Sequence, residues 1–457
     1  MANLKPLTLW VNWILWGGSL LLVTGLALSL HLEGEGRAPR RLLFAAYPVL
    51  AAWLLLILLQ PPYALAVVGL AALSLLGGGL YALYRGWRYR PAGGPSGLGK
   101  RDGQVDERDT MFARMAYTPG GPAYTDYYQR HPERRELDDA LRRLPELCGE
   151  GSVTYDPLNS RIAPAIFELL AGWHHQVDLP GAGEPVAAAT PEERAALTRH
   201  LKGLARYYGA VDVGIAELTP EVVYSHVGRR EAEYGVPVDL RHRYAIVFAV
   251  EMDYRFISAA PNLPVVVESS HQYLEAAKVG LALGANIRAL GWDARVHMDG
   301  NYLGVLPPLA ARAGLGEIGR LGLLVTERWG PRVRLGMVTT SLPLVPDRPR
   351  PFGLEAFCRR CKKCADNCPG RAISLDDHPG AAGWQISWEQ CYKYWRIVGT
   401  DCAICINSCP YAKPQSPFHQ LTRVAIRDSE PARRAALWLD DYLYGRRPFR
   451  RWEPDWF

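Results

Sequence analysis

Eight of the nine cysteines lie between Cys358 and Cys409, and only Cys148 stands outside that stretch of the 457-residue sequence. Thiolates that share a metal centre must converge whatever the local propensities prefer, so this grouping dictates the backbone around it. A secreted disulfide framework would scatter its cysteines; this clustering indicates metal ligation in a reducing compartment. Cys358, Cys361, Cys364 and Cys368, in CRRCKKCADNCPG, have the C-x2-C-x2-C-x3-C-P spacing of bacterial ferredoxins. A second group, CAICINSCPY, supplies Cys402, Cys405 and Cys409, with Cys391 eleven residues ahead of Cys402. In such runs the fourth cysteine serves the other cluster. The expected sets are therefore Cys358, Cys361, Cys364 and Cys409 on one 4Fe–4S cluster, and Cys368, Cys391, Cys402 and Cys405 on the other. Structural zinc is the competing reading. Two runs that each end in Cys-Pro, with interleaved ligation, favour iron and sulfur, and Cys391 is the ligand with the weakest spacing argument.

Three apolar stretches open the chain, Leu9 to Leu30, Leu42 to Leu59 and Tyr63 to Tyr84, and none contains an acidic or basic residue. Each approaches the ~20 residues that cross a hydrocarbon core, so a three-helix transmembrane anchor is expected rather than three buried soluble helices. The first stretch lacks a strongly basic n-region and no twin-arginine pattern precedes it, so the anchor is expected to remain. Arg37, Arg40 and Arg41 lie in the first loop, none in the second, and Arg85, Arg88 and Arg90 follow the third stretch. The positive-inside rule then predicts a multi-pass cell-membrane protein with its catalytic portion in the cytoplasm.

Segment boundaries follow from composition: an anchor over 1–89, a Gly/Pro-rich linker over 90–110, a core over 111–345, a ferredoxin-like segment over 346–417, and a tail over 418–457 packed on the core. Thr190-Pro191-Glu192-Glu193 predicts a helix start, with a Thr N-cap, Pro at the first helical position and Glu three residues on. The run YAIVFAVEM predicts a central strand, ARVHM another, and Ser270 to Leu290 a long helix. The segments GRLGLLVTE and PRVRLGMVTT predict a hairpin around Arg328-Trp329-Gly330. Strands alternate with helices, which predicts an α/β or α+β core. The net charge of +6 is spread along the sequence rather than concentrated with aromatics, which argues against a nucleic-acid partner. No GxGxxG fingerprint, HExxH or nucleophile elbow marks the core.

Clusters move single electrons, so the chemistry must sit elsewhere. EMDY (Glu251 to Tyr254), AARAGLGEIGR (Ala310 to Arg320) and GPRVRLGMVTTSLPL (Gly330 to Leu344), followed by the cysteine groups, resemble the reductive dehalogenases and, more distantly, epoxyqueuosine reductase. The resemblance covers roughly residues 150 to 415. It implies a nitroreductase-like α/β core that binds cobalamin base-off beside the nearer cluster, with Co(I) removing halide from a small halogenated organic substrate. It also implies Tyr254 as proton donor, Arg320 as the cation that favours its phenolate, and Asp253 as the donor that the epoxyqueuosine type would use. Asn301, Gly314, Gly316 and Ser270 are the implied cofactor-binding positions, whereas His297 reads as a structural histidine. The implied partners are membrane lipid and an electron donor of quinol, ferredoxin or flavodoxin type. Two alternatives stand beside this one: a cobalamin reductase acting on a non-halogenated substrate, and a membrane electron-transfer subunit without catalysis.

Overall fold

The computed structural model describes residues 4–90, 103–380, 383–447 and 452–457. Two compact units emerge, one formed by residues 1–91 with 413–448 and the other by 92–412 with 449–457. The first unit begins with three helices, α1 (Leu4–Leu32), α2 (Ala38–Leu59) and α3 (Pro62–Arg88). All three are long and apolar enough to cross a membrane. Their shared interior is thin, centred on Leu50, Trp53, Ile57 and Leu65. Among the described residues, its buried polar group is Asn12, which accepts from Trp53 Nε1 at 2.9 Å and donates to the Leu65 carbonyl at 3.3 Å. Outward, Leu21, Phe44 and Leu75 are at least three-quarters exposed, an arrangement costly in water and natural in hydrocarbon.

The second unit is built on a five-stranded sheet. In chain order its strands are β1 (Asp178–Leu179), β2 (Asp212–Glu217), β3 (Tyr244–Glu251) and β4 (Ala294–His297); a separate two-stranded ribbon of β5 (Glu317–Ile318) and β6 (Leu324–Val325) follows, then β7 (Val333–Thr340). The sheet order is β1-β4-β7-β3-β2, and every pair is antiparallel. Strand β3 is buried on both faces: Tyr244, Ile246, Phe248 and Val250 enter one apolar cluster, and Ala245, Val247 and Ala249 enter another. That is why its sequence is a continuous apolar run, a pattern that parallel and doubly covered antiparallel strands share. Between α/β and α+β, the expected α/β label is therefore corrected to α+β for this sheet.

Helices around the sheet and the cysteine segment include α4 (Pro191–Tyr207), α5 (Leu263–Ala289), α6 (Leu306–Arg312), α7 (Leu354–Cys361) and α8 (Trp388–Val398). The capping box predicted at Thr190 is present, with Glu193 N donating to Thr190 Oγ1 at 3.2 Å and Thr190 N to Glu193 Oε2 at 2.9 Å. The predicted hairpin around Arg328-Trp329-Gly330 does not form a paired ribbon. Instead β6 turns back onto β5 through Gly322, at φ +75°, and β7 is taken up between β3 and β4, joined to β6 only by the Thr326–Gly330 bridge. An eight-residue strand gains more backbone pairing inside a sheet than beside a two-residue one. Residues 91–102 of the expected linker lie outside the described residues. Its end belongs to the core: Glu107 is buried and accepts from Gly228 N at 2.7 Å and Arg229 N at 3.3 Å.

The tail divides between the units. Helices α9 (Pro417–Ile426) and α10 (Glu430–Tyr444) pack on α3 and α2 respectively, a correction to the expectation that the whole tail covers the core. The final residues do meet it: Trp452 stands 5.0 Å from Phe256, and Phe457 packs with Cys148, Ala163, Leu263 and Val266. Helix α9 can reach α3 because Gly86 has no Cβ; one there would sit 1.8 Å from the Val424 carbonyl oxygen.

Candidate functional site

The cysteines approach in two sets. Burial raises the thiol pKa values of Cys358, Cys361, Cys364, Cys391, Cys402 and Cys405, and for most of them neighbouring cysteines add to the rise. Cys361 is raised by burial and then by Cys409 and Cys358, and Cys364 by burial and then by Cys358, Cys361, Cys409 and Cys405. Cys391 is pushed up to about 11 by burial and Cys368; Cys402 to about 12 by burial, Cys391 and Cys368; Cys405 is raised by burial, Cys402, Cys391 and Cys368. These neighbourhoods are 358/361/364/409 and 368/391/402/405, with Cys364 and Cys405 linking them. Among the described residues, no three His, Cys, Asp or Glu side chains converge closely enough to hold a single metal ion. Packed, buried thiols that resist ionisation need a cationic partner to become thiolates. Backbone geometry helps to aim them: Lys362, Cys402 and Ala403 all take left-handed φ values of 51° to 59°.

Arg320 and Tyr254 each have a close aromatic or cationic neighbour. Arg320 is buried against the cysteine segment, its Nε donating to the Cys358 carbonyl at 3.2 Å, its Nη1 to the Ser374 carbonyl at 2.8 Å, and its guanidinium 4.4 Å from the Trp384 ring. Tyr254 lies 5.7 Å from the guanidinium of Arg332, which bonds Glu251 and the Ala412 carbonyl. Asp253 caps the short helix Tyr254–Ser258, its carboxylate accepting from Arg255 N at 2.6 Å. The implied cofactor positions have structural occupations. Ser270 donates to the Val267 carbonyl at 2.8 Å within α5. Asn301 Oδ1 accepts from Arg295 at 2.5 Å and from Arg230. A Cβ at Gly314 would come within 2.6 Å of the Arg348 carbonyl oxygen, and one at Gly316 within 2.3 Å of that of Val325.

A further tyrosine and arginine meet between α5 and β7. Tyr273, on α5, lies under Arg334, on β7, with the guanidinium 4.4 Å from the ring centroid and Nη1 3.5 Å from Tyr273 Oη. Arg334 also reaches Ser269 Oγ and, at 3.5 Å, Asp401, the residue before Cys402. Burial raises Tyr273 and Arg334 opposes the rise; Tyr302 is raised well above the ordinary phenol by burial, then by Tyr273 and Asp299, against Arg334 and Arg229. Yet Tyr273, Tyr302 and Arg334 are only half-buried by surface area, and the side chains of Arg334 and Asp401 remain 24% and 15% exposed. These groups, enclosed enough for desolvation to dominate yet partly exposed, cluster beside the cysteine segment. Arg334 Nε and Asp401 Oδ1 are buried there without hydrogen-bond partners, capacity that a polar cofactor edge can use. The cue in the sequence was a cation inside an apolar strand, VRLGMVTT; nothing local marked Tyr273.

His297 is structural. Its Nδ1 accepts from Leu303 N at 3.1 Å and its Nε2 faces Thr339 Oγ1 at 2.9 Å, so the ring is neutral. Burial, then Arg295, holds its pKa well below the usual imidazole value. The unfolded chain takes up this proton as pH falls through about 6.5 and the folded chain does not, so stability present above that pH is lost below it. Melting curves from about pH 7.5 to 5.5 are expected to show a shallower acid loss in His297→Gln than in the parent.

These features define a class: an iron–sulfur redox protein whose apolar helices can cross a membrane and whose Tyr273–Arg334–Asp401 cluster abuts its cysteine segment. Residues 357–413 match the 4Fe-4S dicluster domain. The chain is similar to reductive dehalogenases. It is 35% identical over 219 residues to the tetrachloroethene reductive dehalogenase of Desulfitobacterium hafniense, covering 45% of this chain and 39% of that one. The corresponding enzyme of Sulfurospirillum multivorans is 30% identical over 287 residues, covering 54% and 57%. A solved reductive dehalogenase, described as suggesting a mechanism for B12-dependent dehalogenation, superposes with TM-score 0.61 at 25% identity, over 82% of this chain and 52% of that one. Epoxyqueuosine reductases match over a shorter stretch. The chain thus spans between about two-fifths and three-fifths of the length of these curated relatives.

Proposed function

We propose that this chain is a membrane-anchored, cobalamin-dependent reductive dehalogenase that replaces a halogen by hydrogen on a small organic molecule. The overall reaction takes an organohalide, two electrons and one proton to the hydrogenated product and halide. Cobalamin, when bound, supplies a strongly reducing cobalt that cleaves the carbon–halogen bond. The two thiol sets hold the 4Fe–4S clusters as assigned above and deliver the electrons singly. The proton comes from Tyr273, with Arg334 fixing the phenol and stabilising the phenolate left behind. The observation that carries this reading is the enclosed Tyr273–Arg334 pair beside Asp401, one residue from a cluster ligand. Arg334 Nε, Asp401 Oδ1 and the buried Ser408 hydroxyl, next to Cys409, are the groups that would meet the corrin edge. The apolar helices cross the bilayer with the arginine-bearing loop on the cytoplasmic side, and the catalytic unit is cytoplasmic.

Anaerobic purification followed by cobalt and iron analysis and a halide-release assay tests this reading. It expects one corrinoid, about eight iron atoms per chain and halide release. Eight irons without corrinoid would instead indicate an electron-transfer subunit, and corrinoid without halide release a reductase of non-halogenated substrates.

A further inference from the structure

The helix pair α9–α10 leaves an aromatic face uncovered. Trp438 is 69% exposed and its ring is stacked on Tyr442, with centroids 5.8 Å apart and planes 6° from parallel. Pro431 and Ala435, also exposed, precede it at helical spacing, so one stripe of α10 runs Pro431–Ala435–Trp438–Tyr442. On α9, Leu421 is 55% exposed. In water alone such a face is a liability.

Its position is set by clamps to the ends of the apolar helices. Arg41 donates to the Tyr442 carbonyl at 2.8 Å, and Tyr442 Oη donates to the Arg41 carbonyl at 3.0 Å. Arg85 pairs with Asp428 at 2.7 Å, and Arg427 donates to the Gly86 carbonyl at 3.2 Å. At the end of α1, Glu33 meets His419 at 3.3 Å, His419 meets Tyr444 at 3.0 Å, and Lys413 Nζ stands 3.5 Å from the Tyr444 ring. Every clamp lies at the arginine-rich loop or the arginine-bearing end of α3, which share one side. The last turns of α3 present Tyr81, Tyr84 and Trp87, each at least half exposed, where aromatic belts of membrane proteins sit. Arg434 and Arg446 add part-exposed cations, their side chains 67% and 44% exposed, paired with Glu430 at 3.2 Å and Asp441 at 3.3 Å.

We infer that α9–α10 is an interfacial helix pair lying in the headgroup layer of the bilayer, with the Trp438–Tyr442 stack seated among the lipids and its arginines on anionic phospholipid. The occupant follows from continuity: the face extends the aromatic and basic border of the three helices, and the chemistry is that of an amphipathic surface helix. This inference rests on the reading of α1–α3 as membrane spans.

The test uses the full-length holoprotein in nanodiscs that carry phosphatidylglycerol with a photoactivatable group near the headgroup, with crosslinked peptides mapped by mass spectrometry. Crosslinks are expected at the ends of α1–α3 and also within residues 430–444. Ala435→Glu and, separately, Trp438→Ser should each lower the 430–444 crosslinks several-fold, with those of the spans and the iron content unchanged. Crosslinked spans with an unlabelled α10, or labelling indifferent to both substitutions, would overturn the interfacial pair and leave the anchor standing. Unlabelled spans would remove the anchor and the inference together. Equal capture by a phosphatidylcholine probe would overturn the preference for anionic lipid.

Discussion

Tyr273→Phe is expected to lower dehalogenation by roughly 10²- to 10⁴-fold, the range for losing a positioned general acid, with corrinoid and iron content unchanged. Phenylalanine keeps the ring under Arg334 and its T-shaped contact with Phe167, 5.6 Å away, so only the proton is removed. An isolated phenol ionises near pH ~10; burial raises this one and Arg334 pulls it back. The acid therefore stays protonated at neutral pH yet leaves a phenolate held by a fixed cation. Arg334→Lys should retain part of the rate and Arg334→Met very little, because a lysine keeps charge but not the planar contact. Tyr254→Phe is expected to leave turnover near that of the parent, since its cation, Arg332, is committed to Glu251 and two backbone carbonyls. The opposite pattern, with Tyr254→Phe inactive and Tyr273→Phe active, would return the donor role to Tyr254.

Cys391→Ser is expected to cost the second cluster. Iron should fall from about eight toward about four atoms per chain, with turnover lost because electrons no longer pass through both centres. The structure sets Cys391 on α8, where Cys368 is the thiol that adds to its burial shift, and Cys402 and Cys405 feel it in turn. Three thiolates leave one corner of a cubane without a protein ligand. Cys148→Ser serves as the control: this thiol is pushed up to about 11 by burial and then by Asp401, and packs among Ala163, Leu263 and Val266. Its loss should leave the iron content alone. Iron analysis and low-temperature electron paramagnetic resonance on the two variants check both statements, and a full iron complement in Cys391→Ser would mean another group completes the site.

Much of the local structure was legible in the residues. The Thr190 capping box, the apolar run of β3 and the three long helices each follow from contacts within a few residues or from a composition that only one environment suits. The β5–β6 ribbon was not legible, because GRLGLLVTE suits several partners and sheet neighbours are chosen by the whole fold. Likewise, the amphipathic pattern of α10 does not say which helix it packs on, and its contacts with Arg41 and α2 come from the tertiary structure.

The eight cysteines by themselves pointed to a 4Fe-4S dicluster segment, which the match over residues 357–413 bears out, because ligand spacing is written along the backbone and survives any packing. What tertiary structure alone brings together is the Tyr273–Arg334 pair. Tyr273 and Arg334 lie 61 residues apart, on a helix and a strand that look ordinary singly. Their chemistry arises only where α5 packs on β7 and removes water from both.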